Sequence, residues 1–149
     1  MKRSAPPRIT QESYEALAEI RYQIRRFLVF SEAAARAAGI EPQQHQLLLA
    51  LEGLPAGEQP AIRVLADRLQ IQHHSAVELV SRSERKCLVR RHPSVTDRRE
   101  VTLKITPRGR RVLLQLSLAH RAELESAAPI LMRALRAIVM SSRLEGRKQ

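Results

Sequence analysis

Apolar positions along most of this chain recur every three or four residues, the spacing of one helix face. Leu17, Ile20, Ile24, Phe27 and Leu28, with Tyr14 one turn earlier, follow Thr10, an N-cap residue, and the pattern stops at Gly39. This predicts a first helix over about 10–38, preceded by a mobile arm at 1–9. Pro42 stands where a first helical residue needs no N–H, and QQHQLLLALEG continues a second helix to a loop at 53–60. Ile62, Leu65, Ala66 and Leu69 keep i, i+3, i+4, i+7 spacing, so a short helix is expected over 61–69 and another over 73–86 after a brief break. The period then changes to two. Leu88-Val89-Arg90-Arg91 reads as a short strand, 92–100 as a loop, and Val101, Leu103 and Ile105, alternating with Thr102 and Lys104, as a returning strand. Thr106-Pro107 caps and starts a helix over about 107–126. Pro129 is expected to break or kink it, with a last helix to about 142 and a fraying tail.

The expected fold is mainly α with a small β-hairpin. Two short helices three residues apart, followed directly by a hairpin, make a winged helix-turn-helix. The expectation is one domain over 1–149, with the winged helix-turn-helix at about 42–106 and terminal helices at about 10–38 and 107–142. Leu17, Ile20, Ile24, Leu131, Leu135 and Ile138 on those terminal helices would leave a large apolar patch on a lone chain, so they are expected to dimerise it.

Charge adds a partner to this outline. Lys and Arg number 26 against 15 Asp and Glu, and +8 of the net +11 falls within residues 82–111. So concentrated a positive segment points to a polyanion, nucleic acid before an anionic membrane. One cysteine, Cys87, excludes an internal disulfide framework. There is no signal-peptide core and no apolar run of spanning length, so a cytoplasmic protein without a membrane partner is expected. The five histidines lack metal-ligand spacing, and no nucleophile–base motif, phosphate loop or carboxylate pair is evident. No metal, cofactor or catalytic activity is therefore expected.

Three segments carry a resemblance to a known family: GIEPQQHQLLLAL (39–51), IRVLADRLQIQHHSAVELVSRSERKCLVRR (62–91) and DRREVTLKITPRGRRVL (97–113). In this order and spacing they resemble the MarR family of bacterial transcriptional regulators, over about residues 14–142. The resemblance implies a homodimer with entwined terminal helices that represses or activates nearby genes. It also implies relief by a small aromatic or phenolic ligand, or by oxidation of a cysteine, which in the family lies in the first helix. The chain departs from the pattern at Gln70 and Cys87, where the family has Gly, and at Ser83, where it has Leu. Gln70 and Cys87 carry a conformational cost if φ is positive there, and Ser83 thins the packing beneath its helix.

The candidate site follows from docking geometry. The start of a recognition helix meets base edges, which assigns His73, His74, Ser75 and Glu78 to the major groove, with Arg82 one turn on for phosphate, base or an internal pair with Glu78. Arg85 and Lys86 are assigned to phosphates, with Arg63, Arg68 and Arg108 as further clamps. At the wing tip Arg98 or Arg99 suits the negative potential of a narrow minor groove, and Asp97 is placed to orient the arginine. Tyr14, Arg21, Arg25 and His45 are candidates for an effector cavity. Cys87, beside Arg85, Lys86, Arg90 and Arg91, is either a small buried residue at a helix–strand corner, the favoured reading, or a redox switch. The functional expectation is a sequence-specific, ligand-responsive repressor acting as a homodimer on a pseudo-palindromic operator. The alternatives are a sequence-independent architectural nucleic-acid binder, or a redox-sensing regulator through Cys87.

Overall fold

The computed structural model describes residues 9–94 and 100–146, with side chains as far as 140. The arm at 1–8 and the wing tip with Asp97, Arg98 and Arg99 lie outside the described residues. The elements run α1 (Gln11–Ala37), α2 (Pro42–Glu52), α3 (Ile62–Arg68), α4 (His73–Arg85), β1 (Val89–Pro93), β2 (Val101–Ile105) and α5 (Pro107–Gly146). By its contacts the chain divides into two compact units. One comprises residues 31–120, the other the segments before 31 and after 120.

The unit of residues 31–120 is built on fully buried aliphatic side chains, one or two from each element. Leu47 and Leu48 come from α2, Leu65 from α3, Leu79 and Val80 from α4, Leu88 and Val89 from the corner into β1, and Leu103 from β2. Ala35, Leu113 and Leu116 join the same cluster. Burying a leucine of this kind stabilises by about 2 kcal/mol, and this cluster fixes where α3, α4 and the hairpin stand. The strands pair antiparallel, Val89 opposite Ile105 and Arg91 opposite Leu103. A bridge from Ala61 to Thr102, with the Leu103 amide donating to the Pro60 carbonyl at 2.9 Å, adds a one-residue third strand that the sequence pattern did not predict.

Helix starts follow the local chemistry. Thr10 Oγ1 accepts the Ser13 amide at 3.2 Å and Thr106 Oγ1 accepts the Gly109 amide at 3.0 Å, two N-caps at the expected residues. The helix ends share one motif. Gly39, Gln70 and Cys87 each take a left-handed conformation, with φ of 77°, 53° and 55°. In each the amide of that residue and the next bond back into the last turn: Gly39 to Arg36 and Ile40 to Ala35; Gln70 to Asp67 and Ile71 to Ala66; Cys87 to Glu84 and Leu88 to Ser83. These are three Schellman caps, two of them closed without glycine. A side chain in that conformation costs about 1 kcal/mol relative to glycine. Cys87→Gly is therefore expected to raise stability by about 1 kcal/mol in denaturant titration. Gln70→Gly should gain less, because the Gln70 amide group donates to the Asp67 carbonyl at 2.7 Å and that bond is lost. Equal or reduced stability for Cys87→Gly would contradict the cost assigned to φ. Ser83 is fully buried and donates to the Leu79 carbonyl at 2.8 Å, which satisfies its hydroxyl without leucine's packing.

Three expectations need correction. Cys87 is exposed, not buried, because the left-handed cap turns its side chain out of the corner. Strand β1 runs on to Pro93, where a loop was expected. Helix α5 continues through Pro129 to Gly146 in place of two helices. Proline removes the bond to the carbonyl four residues back, here Glu125, and both residues are exposed, so water can serve that carbonyl.

In the other unit Ser13, Ala16 and Gln23 of α1 and Ala134 of α5 are buried. Leu17, Ile24 and Leu28 on α1 and Leu135 and Val139 on α5 are exposed, with Ile20, Leu131 and Ile138 half-buried. Among the described residues no helix is long and apolar enough to cross a membrane.

Candidate nucleic-acid interface

The start of α4 presents polar side chains to solvent because its apolar face is used up on the core. Ala76, Leu79, Val80 and Ser83 face inward, leaving His73, His74 and Glu78 exposed and Ser75 half-buried. This supplies donors and acceptors on the turn that geometry assigns to base edges. His73 also lines a cleft of about 360 Å³ between the helix-turn-helix and the hairpin, together with Arg63, Val77, Arg91, Glu100 and Val101. The structure thus gathers His73, His74, Ser75, Glu78 and Arg63 on one unit.

Several arginines assigned to phosphates are occupied internally. Arg82 Nε donates to Glu41 at 3.1 Å, and its Nη2 to Gln43 at 3.4 Å; its ion-pair partner is the residue that caps the start of α2, and is not Glu78. Arg63 Nε donates to Glu100 at 2.6 Å, and this hydrogen bond, then the charge of the same carboxylate, raises the Arg63 pKa above its ordinary value. Arg68 pairs with Glu58 at 2.7 Å, and Lys86 donates to the Gly39 carbonyl at 2.9 Å, closing the end of α1. Exposed surface pairs of this kind contribute little stability, so a phosphate can displace the carboxylate at small cost. Arg85 and Arg108 are exposed, with no ion pair among the described residues.

Four residues to which sequence reasoning gave no part in the nucleic-acid surface organise it: Glu41, Glu84, Arg91 and Glu100. Arg91 of β1 joins Glu84 of α4 through both its guanidinium and its backbone amide. No periodicity connects residues 7, 37 or 41 apart in sequence across a corner, so no local signal marks these pairs.

The effector candidates fall in different surroundings. Tyr14, Arg21 and Arg25 are exposed on one face of α1, at helical spacing. His45 is 3% exposed and both its ring nitrogens are buried with no partner among the described residues. Burial first, then the neighbouring His120, lowers its pKa to about 4. His45 is part of the packed interior.

Comparison with known proteins places this geometry. Residues 38–100 match the model of the MarR family. A Thauera aromatica protein named as a transcriptional regulatory protein for the hcr operon is 31% identical over 99 residues, 66% of this chain. The chain spans 58% of the length of that relative. Among solved structures, AbsC, a MarR family transcriptional regulator from Streptomyces coelicolor, superposes with a TM-score of 0.69 at 19% identity, covering 95% of this chain and 99% of AbsC. A mutant of S. aureus MepR bound to an oligodeoxyribonucleotide gives 0.61 at 16% identity, over 95% of this chain and 100% of MepR. The structural matches carry the winged-helix fold across nearly the whole chain, and over its central segment, residues 38–100, the chain is similar in sequence to the MarR family.

Proposed function

We propose that this protein is a sequence-specific DNA-binding regulator of transcription, acting as a homodimer on a pseudo-palindromic operator. The observation that carries the reading is the polar, exposed first turn of α4, set on a helix-turn-helix and flanked by a hairpin. His73, His74, Ser75 and Glu78 read base edges, and Arg85 and Arg108 contact phosphates. Arg63 and Arg82 contribute once their carboxylates are displaced. The wing tip, with Asp97 orienting Arg98 or Arg99, enters the minor groove. The bound oligodeoxyribonucleotide of the MepR structure supports this use of the fold.

The dimer reading rests on apolar surface. Leu17 and Leu135 are about half exposed, and a second copy would cover them with Ile20, Ile24, Leu131 and Ile138. Two recognition helices would then meet DNA about 34 Å apart. Response to a small aromatic or phenolic ligand is the finer part of the reading, with Tyr14, Arg21 and Arg25 as the exposed candidates on α1.

Selection of genomic fragments by the purified protein at physiological salt, followed by sequencing, tests this. Enrichment of a two-fold-symmetric site is expected. Uniform recovery that fades as salt rises would favour the architectural reading, to which the net charge of +11 is equally suited.

A further inference from the structure

Among the described residues of the winged unit, Arg91 is the most extensively bonded cation. Its guanidinium pairs with Glu84, donates to Ser81 Oγ at 3.0 Å and to the Val77 carbonyl at 3.3 Å. Its backbone amide donates to Glu84 Oε1 at 2.8 Å. Ser81 Oγ in turn donates to Val77 O at 2.9 Å, so the acceptors hold one another in place. Val77, Ser81 and Glu84 are spaced i, i+4, i+7, a single stripe along the recognition helix. On the other side Arg91 is locked in the hairpin, opposite Leu103, which is itself fully buried. One planar, five-donor group thus ties the wing to three successive turns of α4, a geometry that the point charge of a lysine cannot reproduce. Its charge is answered by Glu84 and its side chain is only about a third exposed.

We infer that Arg91 is a positioning residue for DNA reading: it sets the wing at a fixed pitch to the recognition helix, and so fixes the offset between major-groove and minor-groove contacts. This rests on the DNA-binding reading above. It assigns Arg91 no contact with DNA. Its loss changes which flanking sequence the wing meets, while the first turn of α4, carried by the core through Ala76, Leu79 and Val80, still reads its bases.

The test is selection from random-sequence duplexes with the full-length protein and with Arg91→Lys, which keeps the charge and loses the fork. Thermal melts check that both are folded. Arg91→Lys should return the same central half-sites with the flanking preference lost, and a specific-to-non-specific affinity ratio reduced about tenfold. Glu84→Gln removes the charge of the acceptor and keeps a hydrogen-bonding oxygen; it should show the same change more weakly, and carries the comparison if Arg91→Lys does not fold. Full flanking preference in a folded variant overturns the inference. So does loss of centre and flanks together, since that marks a general defect. A wild-type protein that selects a centre but no flank overturns it for want of a wing contact to position. A wild type that selects no site at all overturns the DNA-reading proposal itself, which separates the two failures.

Discussion

Gly109→Ala is expected to cost about 3 kcal/mol and to lower the melting temperature by about 10 °C. A Cβ at this position would stand 2.2 Å from the Leu88 carbonyl oxygen and 2.9 Å from Ile105 Cγ2. Neither neighbour is free to give way. Leu88 is fully buried, and its carbonyl already accepts the Thr106 amide at 3.1 Å. Thr106 also donates through its hydroxyl to the Cys87 carbonyl at 2.6 Å while capping α5 through the Gly109 amide. Moving Leu88 therefore disturbs the end of the recognition helix, the entry to the wing and the start of α5 together. Arg108→Ala, one residue earlier and exposed, is the control and should change stability by less than about 0.5 kcal/mol. Melting curves of the two variants decide the matter: an unchanged midpoint for Gly109→Ala would refute the close approach.

Acid should destabilise the protein through His45, by up to about 3 kcal/mol. The ring is buried with neither nitrogen partnered among the described residues, and its centroid lies 4.5 Å from that of His120. His120 is held by the Leu116 carbonyl at 2.7 Å and Ser31 Oγ at 2.8 Å. Burial chiefly, and the charge of His120 secondarily, lower the His45 pKa from 6.5 to about 4. The neutral ring is thus the folded form, and the unfolded chain binds the extra proton between those values. Stability is full above pH 6.5 and falls as the pH drops toward 4. His45→Leu removes two unpartnered polar atoms at similar volume, so it should match or exceed the wild type at neutral pH. Its advantage should widen in denaturant titrations between pH 6.5 and 4.5. Parallel pH profiles for the two proteins would show that His45 does not titrate with unfolding.

What was legible in the sequence was local. Thr10, Pro42 and Thr106 announce helix starts because a cap acts within one turn, and Gly39 announces a stop because only the left-handed cap needs it. The alternation at 101–105 gave β2 with its bounds. The polar first turn of α4 was legible for the same reason, as the complement of an apolar stripe. What failed was where one local rule met another. Proline reads as a break or a kink, yet at 129 no break occurs and the helix continues, with Glu125 and Pro129 both exposed. Cys87 reads as a small buried residue, yet its place in a Schellman cap turns it outward. The braces Glu41–Arg82, Arg63–Glu100 and Glu84–Arg91 join separate elements, and nothing in their spacing distinguishes them from solvated charges.

Those braces alter how the protein exchanges ions with its surroundings. An arginine that reaches DNA from open solvent displaces a condensed cation from the phosphate backbone and gains from dilution of that cation. Arg82 and Arg63 begin on Glu41 and Glu100. Each that moves to a phosphate frees one cation from the DNA and leaves a bare carboxylate that draws one back. Such a transfer is close to neutral in salt. In the complex proposed above, the ionic-strength dependence of binding would thus count only the arginines and lysines that start unpaired, and a measured slope would understate the number of phosphates contacted.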